Sequence, residues 1–374
     1  MPSAHSRIWA DAAVCCVKLH RWQEAIDYAH RALSAGDERN FVVHDALSHA
    51  HGALGEREQV RAHGLRALTL RDAQFGVEPA VPLASLPPLP PAPSEDTRAK
   101  NVLAFSLFGA RPKYCENAII NALEQPRLYP HWTCRFYLDD SVPPDVRARL
   151  LQAGAQVVDV SDALRTWPGP MWRFAALEDA SLHRVAFRDA DSVISRREAD
   201  AVTQWCQSPH RFHALRDGPT HTELLLAGLW GVVSGSLPPL NALMQAFLAK
   251  PLASRHFADQ HFLREQVWPY ARRDLLQHDS QFGFMGALPF ADGLPPDDFH
   301  VGCSEGESGF ARQSEWPDGT PVRWWFRAHA ENGGIQSCRS DNVVRDGRIT
   351  DALPKRYAAL LAVGRGTIEV ERRD

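Results

Sequence analysis

The sequence predicts an α/β protein, a mostly parallel sheet with helices on both faces, preceded by an α-helical repeat segment. Three observations predict it. From Asn101 onward, short apolar runs alternate with segments of helical period, the pattern of successive βαβ units. Residues 6–39 carry the helical period alone, and a weaker copy follows. Between these parts stand Pro79, Pro82, Pro87, Pro88, Pro90, Pro91 and Pro93, which neither a helix interior nor a central strand accepts. The expected division is residues 1–77 as repeats, 78–99 as an extended Pro-rich linker, 100–290 as the α/β domain and 291–374 as a C-terminal extension with no assignable pattern.

In the first repeat Trp9, Ala12, Ala13 and Cys16 share one helical face, and Ala25, Ala29, Ala32 and Leu33 share one face of the next helix. The stretch resembles a tetratricopeptide repeat through Trp9, Trp22, Ala25, Ala32 and Leu33. It departs at Cys16, where Tyr is usual, and at Asp37, where Pro is usual. Ala32-Leu33 recurs as Ala67-Leu68, with Leu47 and Gly55 between. Two repeats bury little alone, so they are expected to pack on the following domain or on a protein partner. A plain four-helix cap is the alternative.

The α/β part opens with a buried strand, Val102 to Phe108, ending at Gly109. A helix through Ala118, Ile119, Ala122 and Leu123 follows, then a strand from Trp132 to Leu138. Pro143-Pro144 opens a helix that Gly154 stops, and Ala155 to Val160 is the third strand. A helix over Met171–Glu178 leads into a short strand, Val185 to Phe187. Beyond it come a helix from Glu198, a strand at 211–215, the segment 224–234 with Gly228-Leu229-Trp230-Gly231, helices at 240–248 and 256–270, and the segment 275–280 with His278-Asp279.

Composition narrows the function. The 374 residues are 44% hydrophobic and 23% charged, as an ordinary globular core requires. A net charge of −4 gives no general surface for nucleic acid or anionic lipid. Seven cysteines with no C-x-x-C pair fit a reducing compartment better than a disulfide framework. No leader pattern and no run of about eighteen apolar residues is present, so a cytoplasmic chain without a transmembrane segment is expected.

The chemistry concentrates after Phe187, in Arg188-Asp189-Ala190-Asp191-Ser192. In an extended backbone, residues two apart point to the same side, so Asp189 and Asp191 can converge at the strand end. Two close carboxylates repel unless a cation stands between them, and hard divalent cations take oxygen ligands. In open α/β sheets ligands bind at the carboxyl ends of the strands. A solvated turn is the alternative for such a pair.

Taken in order, the strings F-G-A-R-P-K-Y, W-R-F, F-R-D-A-D-S, H-A-L-R-D, G-L-W-G, A-D-Q-H-F-L and H-D-S resemble bacterial nucleotide-sugar glycosyltransferases of the A-type fold. The resemblance covers residues 101–285. It implies transfer of a sugar from a nucleoside-diphosphate sugar to a saccharide or protein acceptor, assisted by Mn²⁺ or Mg²⁺ on Asp189 and Asp191. It also implies a third metal ligand at His278, with a packed histidine as the alternative. Arg173 and Arg188 are the candidate phosphate partners, each with a structural ion pair as the alternative, and Gly109 marks the nucleotide end of the first strand. If transfer inverts, Asp259 or Asp217 is the candidate base, with a helix cap as the alternative for Asp259. Tyr114 is either a base-stacking residue or a packed aromatic, and Gly228, Trp230 and Gly231 are either an acceptor wall or core. Two rival functions remain: a non-catalytic repeat scaffold with a degenerate transferase domain, and a phosphatase of the haloacid-dehalogenase type. Against the second, the Asp pair follows a late strand and lysines are scarce.

Overall fold

The structure, a computed structural model, describes residues 4–79, 85–295, 299–304, 307–329 and 335–373. Pro82 of the Pro-rich stretch lies outside the described residues.

In chain order, four helices come first: α1 (Ala4–Lys18), α2 (Trp22–Ser34), α3 (Phe41–Ala53) and α4 (Arg57–Phe75). Small side chains let them pack closely, and Ala13, Ala25, Ala29, Ala32, Leu47 and Ala50 are fully buried at their crossings. Trp9 stacks on Tyr28 with ring centroids 5.6 Å apart. Asn40 caps α3, its side chain accepting from the Val42 N–H at 3.0 Å. The Pro-rich residues 85–94 form no regular element, as ring-locked prolines dictate, and a 3₁₀ turn spans Glu95–Lys100.

Next come β1 (Asn101–Leu107), α5 (Pro112–Leu128), β2 (Thr133–Leu138), α6 (Pro144–Gln152), β3 (Gln156–Asp159) and α7 (Asp162–Arg165). The expected helix at Met171–Glu178 is instead a 3₁₀ helix, and it begins two residues earlier, over Gly169–Glu178. After β4 (Arg184–Phe187) come α8 (Arg196–Gln207), β5 (Phe212–Arg216), β6 (Trp230–Val233) and α9 (Leu240–Leu248). Helices α10 (Ala258–Phe262) and α11 (Trp268–Ala271) flank a π turn at Leu263–Val267, and β7 (Leu275–Asp279) follows. The extension holds β8 (Glu307–Gln313), β9 (Pro321–His329), β10 (Ile335–Val343), β11 (Arg348–Pro354), α12 (Lys355–Ala362) and β12 (Gly366–Arg372).

Two compact units emerge. The first comprises Met1–Val102, Phe174–Arg188 and Ser195–Val301. Its strands lie in the order β4-β6-β5-β7. Strand β6 runs antiparallel to both β4 and β5, while β5 and β7 are parallel. Strands β4, β5 and β7 therefore point the same way, and the residues after each emerge at one edge. Its core includes Phe187 stacked on Trp230 at 4.4 Å and Phe174 stacked on Phe262 at 5.5 Å.

The repeats belong to this unit. At Gly52 a Cβ would strike Pro219, and at Gly64 it would strike the Phe282 ring, so only glycine admits the loops after β5 and β7 this closely. The Ser48 hydroxyl donates to the Pro219 carbonyl at 2.7 Å. Asp72 accepts from the Trp268 indole at 2.9 Å and pairs with Arg272 at 2.8 Å. The Pro-rich segment is also tied down: Arg184 donates to the carbonyls of Pro90 and Pro91, and Arg211 to that of Pro87.

The second unit comprises Leu103–Arg173, Asp189–Ile194 and Gly302–Asp374. Its strands lie in the order β3-β2-β1, with β2 and β3 parallel. A three-stranded antiparallel sheet, β10-β9-β12, and the pair β11-β8 complete it. Val322, Trp324 and Phe326 alternate inward along β9 and join Ile349, Leu353, Tyr357 and Ile120 of α5 in one core.

Candidate functional site

Strand β4 is buried throughout, and the chain changes character on leaving it. Asp189 has a half-exposed side chain at 51%, while Asp191 is one-quarter exposed. Ala190 between them is buried, which leaves the two carboxylates on the accessible side of the turn. Arg173, itself buried, donates to Asp189 Oδ1 at 2.5 Å. Its backbone N–H is fixed in turn by Ser106 Oγ of β1 at 2.9 Å. Lys113, in the first turn of α5, stands 3.5 Å from Asp191 Oδ2. Burial and the neighbouring charge of Asp189 raise the pKa of Asp191, and Lys113 offsets part of that rise.

One face of α5 holds the loop in place. Asn117 Nδ2 donates to the Asp191 carbonyl at 3.1 Å, and its buried Oδ1 has no partner among the described residues. Asn121 Nδ2 donates to the Ser192 carbonyl at 2.8 Å and its Oδ1 accepts from the Ile194 N–H at 2.8 Å. Gln125, one turn further, donates to the carbonyls of Tyr129 and Trp132. Lys113 and the Asn117/Asn121 pair were not singled out from the sequence. The signal was present as amides at i and i+4 on a helix whose face is otherwise buried.

Gly109, two residues past the end of β1, has a φ of +76°, a left-handed conformation that suits glycine, and its N–H donates to Ser141 Oγ at 2.7 Å. Tyr114 is half-buried beside Lys113, whose ammonium lies 5.6 Å from the ring centroid.

The remaining expected site residues lie in the first unit. Arg188 is buried and bonds Glu198 at 3.2 Å and the Phe187 carbonyl at 2.7 Å. Asp217 follows β5, is fully buried, and takes four hydrogen bonds. Two come from Arg197 at 2.8 Å, one from Ser280 at 2.6 Å and one from the Val301 N–H at 2.9 Å. Asp259 is buried at the start of α10, its Oδ1 accepting from the Gln260 N–H at 2.9 Å. Gln260 accepts from the Ala227 N–H and donates to the Leu225 carbonyl at 3.3 Å, pinning the loop before β6. His278 is buried on β7, with Nδ1 2.9 Å from His213 and Nε2 3.1 Å from Gln204; burial lowers its pKa to about 4. Trp230 is core, and a Cβ at Gly231 would press on Trp205.

Among the described residues no three His, Cys, Asp or Glu side chains gather as a metal cluster. Nor is any described helix long and apolar enough to cross a membrane.

No protein-family model matches the chain, and no curated protein matches it. Several solved structures are similar over 49% of the chain. One is a mutant O-GlcNAc transferase of Thermobaculum terrenum, at 16% identity, a TM-score of 0.26 and 43% of its own length. Another is the glucosyl-3-phosphoglycerate synthase of Mycobacterium tuberculosis in complex with Mn²⁺, uridine diphosphate and phosphoglyceric acid, at 15% identity, a TM-score of 0.32 and 69% of its length. A third is the 4-diphosphocytidyl-2C-methyl-D-erythritol synthase of Anaerococcus prevotii, at 10% identity, a TM-score of 0.31 and 88% of its length.

Proposed function

We propose that the chain is a glycosyltransferase that moves a sugar from a nucleoside-diphosphate sugar to a hydroxyl-bearing acceptor with a divalent cation. The observation that carries this reading is the accessible Asp189/Asp191 pair at the carboxyl end of β4, braced from behind by α5. The donor set fits Mg²⁺ or Mn²⁺. Such ions are commonly held by one or two carboxylates, with substrate phosphates and water completing the shell, so a cluster of three protein ligands is not required. Bound there, the cation supplies Lewis-acid neutralisation of the charge on the departing diphosphate.

The chain's own residues do the rest. Arg173 orients Asp189 through the 2.5 Å hydrogen bond. Lys113 holds Asp191 in place and, being partly exposed, can pass its charge to a phosphate oxygen when a cation takes its place. Asn117 and Asn121 hold the backbone of the turn in place. Asp217 is ill suited to deprotonate an acceptor, because its oxygens already take four hydrogen bonds. His278 stays outside the cation site in this reading, because both its ring nitrogens are engaged.

The test is Mn²⁺-dependent hydrolysis of a panel of nucleotide sugars by the full chain. Turnover that stops with chelator and returns with Mn²⁺ is expected. Hydrolysis unaffected by excess chelator, or no binding of any nucleotide sugar in the presence of Mn²⁺, would sink the proposal.

A further inference from the structure

The loops after β5 and β7 and the α3–α4 hairpin of the repeats line an open cleft of about 800 Å³ within the first unit. Its volume lies in the range of small-molecule sites, and its floor is a strand-end edge, where ligands of open sheets bind. The repeats cannot drift from this floor, because Gly52 sits against Pro219 and Gly64 against Phe282. The wall from the repeats brings Arg57, Glu58 and Arg61; the floor brings Ser280 and Gln281; Phe299 adds an aromatic side.

The charge balance decides what fits. Asp217 also lines the cavity, but its carboxylate is matched by Arg197, with both hydrogen bonds at 2.8 Å. On the repeat wall, Arg57 and Arg61 stand with Glu58. Arg57 has an interaction of its own, whereas Arg61 has no hydrogen bond or ion pair among the described residues. A partnerless guanidinium facing a cavity is a fork for a carboxylate or phosphate. Gln281, whose Nε2 donates to the Asp217 carbonyl at 3.0 Å, and Glu58 present groups suited to hydroxyls. Half-buried Phe299 and Pro219 offer apolar faces of the kind that pack against a sugar's C–H surface.

We infer that this cavity is a binding site for an anionic sugar, either a uronate or a sugar phosphate, with its charge on Arg61. The cleft lies wholly in the first unit, and the inference goes beyond the transferase reading. The binding itself needs neither metal nor donor, so the two proposals fail separately.

Calorimetry of the full chain without metal, using glucuronate, glucose 6-phosphate and glucose as probes, tests it. One or both anionic sugars should bind at least tenfold more tightly than glucose, and added NaCl should weaken that binding. A preference for glucuronate identifies the carboxylate source and a preference for glucose 6-phosphate the phosphate source. Arg61→Ala should erase the preference, while Arg61→Lys should keep part of it. Arg61 is exposed, so neither change should disturb folding, and an unchanged melting temperature verifies this. Equal affinity for glucose and the anionic sugars, no binding of any probe, or an undiminished preference in Arg61→Ala overturns the inference.

Discussion

Two aspartates of this chain follow strands that point the same way, and they meet opposite fates. Asp217 leaves β5 into the interior, with its side chain wholly buried and both oxygens held by Arg197, Ser280 and the Val301 N–H. Asp189 leaves β4 into solvent at 51% exposure, and Asp191 beside it is raised in pKa by burial and by Asp189's charge. The same residue type at the same kind of position is a structural anchor in one place and an accessible carboxylate pair in the other. What separates them is the supply of donors. The loop after β5 meets a guanidinium, a hydroxyl and an amide, whereas the loop after β4 meets two cationic side chains at its margin and water.

The largest effect expected from this contrast is on stability. Asp217→Ala leaves Arg197 buried, with Asp292 at 62% exposure as its remaining ion-pair partner, and breaking such a pair from one side costs roughly 3–5 kcal/mol. Urea unfolding measures it, and a loss below about 1 kcal/mol would contradict the anchoring role.

Asp191→Asn should do the reverse. The raised pKa means that the folded state binds this proton more tightly than the unfolded chain does. Ionisation of Asp191 therefore removes stability as pH rises through its folded pKa, and the neutral amide is spared that loss. The variant should melt at or above the wild-type temperature at neutral pH, while Mn²⁺-dependent hydrolysis falls by roughly 100-fold or more. A lower melting temperature together with full turnover would reverse the comparison.

Asn121→Ala sharpens it further. Losing both hydrogen bonds strands the Ser192 carbonyl and the Ile194 N–H, at a cost of roughly 1–3 kcal/mol. Mn²⁺ affinity should weaken with it although no metal ligand has changed, and isothermal titration at fixed pH reads this directly. Unchanged affinity would show that the turn needs no brace from α5.

The smallest effect is graded with pH. Burial, then the neighbouring His44, His51 and His30, lowers His63 to about 4, and burial lowers His278 to about 4. The unfolded chain takes up these protons near pH 6.5, well before the folded chain does, so stability falls between about pH 6.5 and 4 and levels off below. Thermal melts from pH 7.5 to 4 should show the decline, and His63→Gln should flatten part of it. A melting temperature that rises on acidification through this window would contradict the assignment.

Much of the architecture was legible because it is local. The buried run before Gly109, the Pro143-Pro144 helix start and the Ala-rich repeat faces each declare themselves within a few residues, and the observed elements fall within one or two residues of them. The direction of β6 was not legible, since Trp230–Val233 has the same apolar content whichever way it runs and only pairing with β4 and β5 sets it. The C-terminal strands were passed over for a similar reason. The alternation along Val322–Ala328 is there to be read, but its partners Ile335–Val343 and Gly366–Arg372 are polar or distant and look unremarkable alone.

At the candidate site the sequence by itself determined the chemistry on offer: two carboxylates, two residues apart, directly after a buried strand. Such spacing follows from backbone geometry and needs no knowledge of neighbours. Which carboxylates remain available was decided only by the tertiary structure. Asp217 is neutralised by residues 20, 63 and 84 positions away in the chain, and Asp191 is braced by an amide 74 positions away. A charge's state depends on the groups within a few ångströms of it, and folding, not sequence distance, brings those groups together.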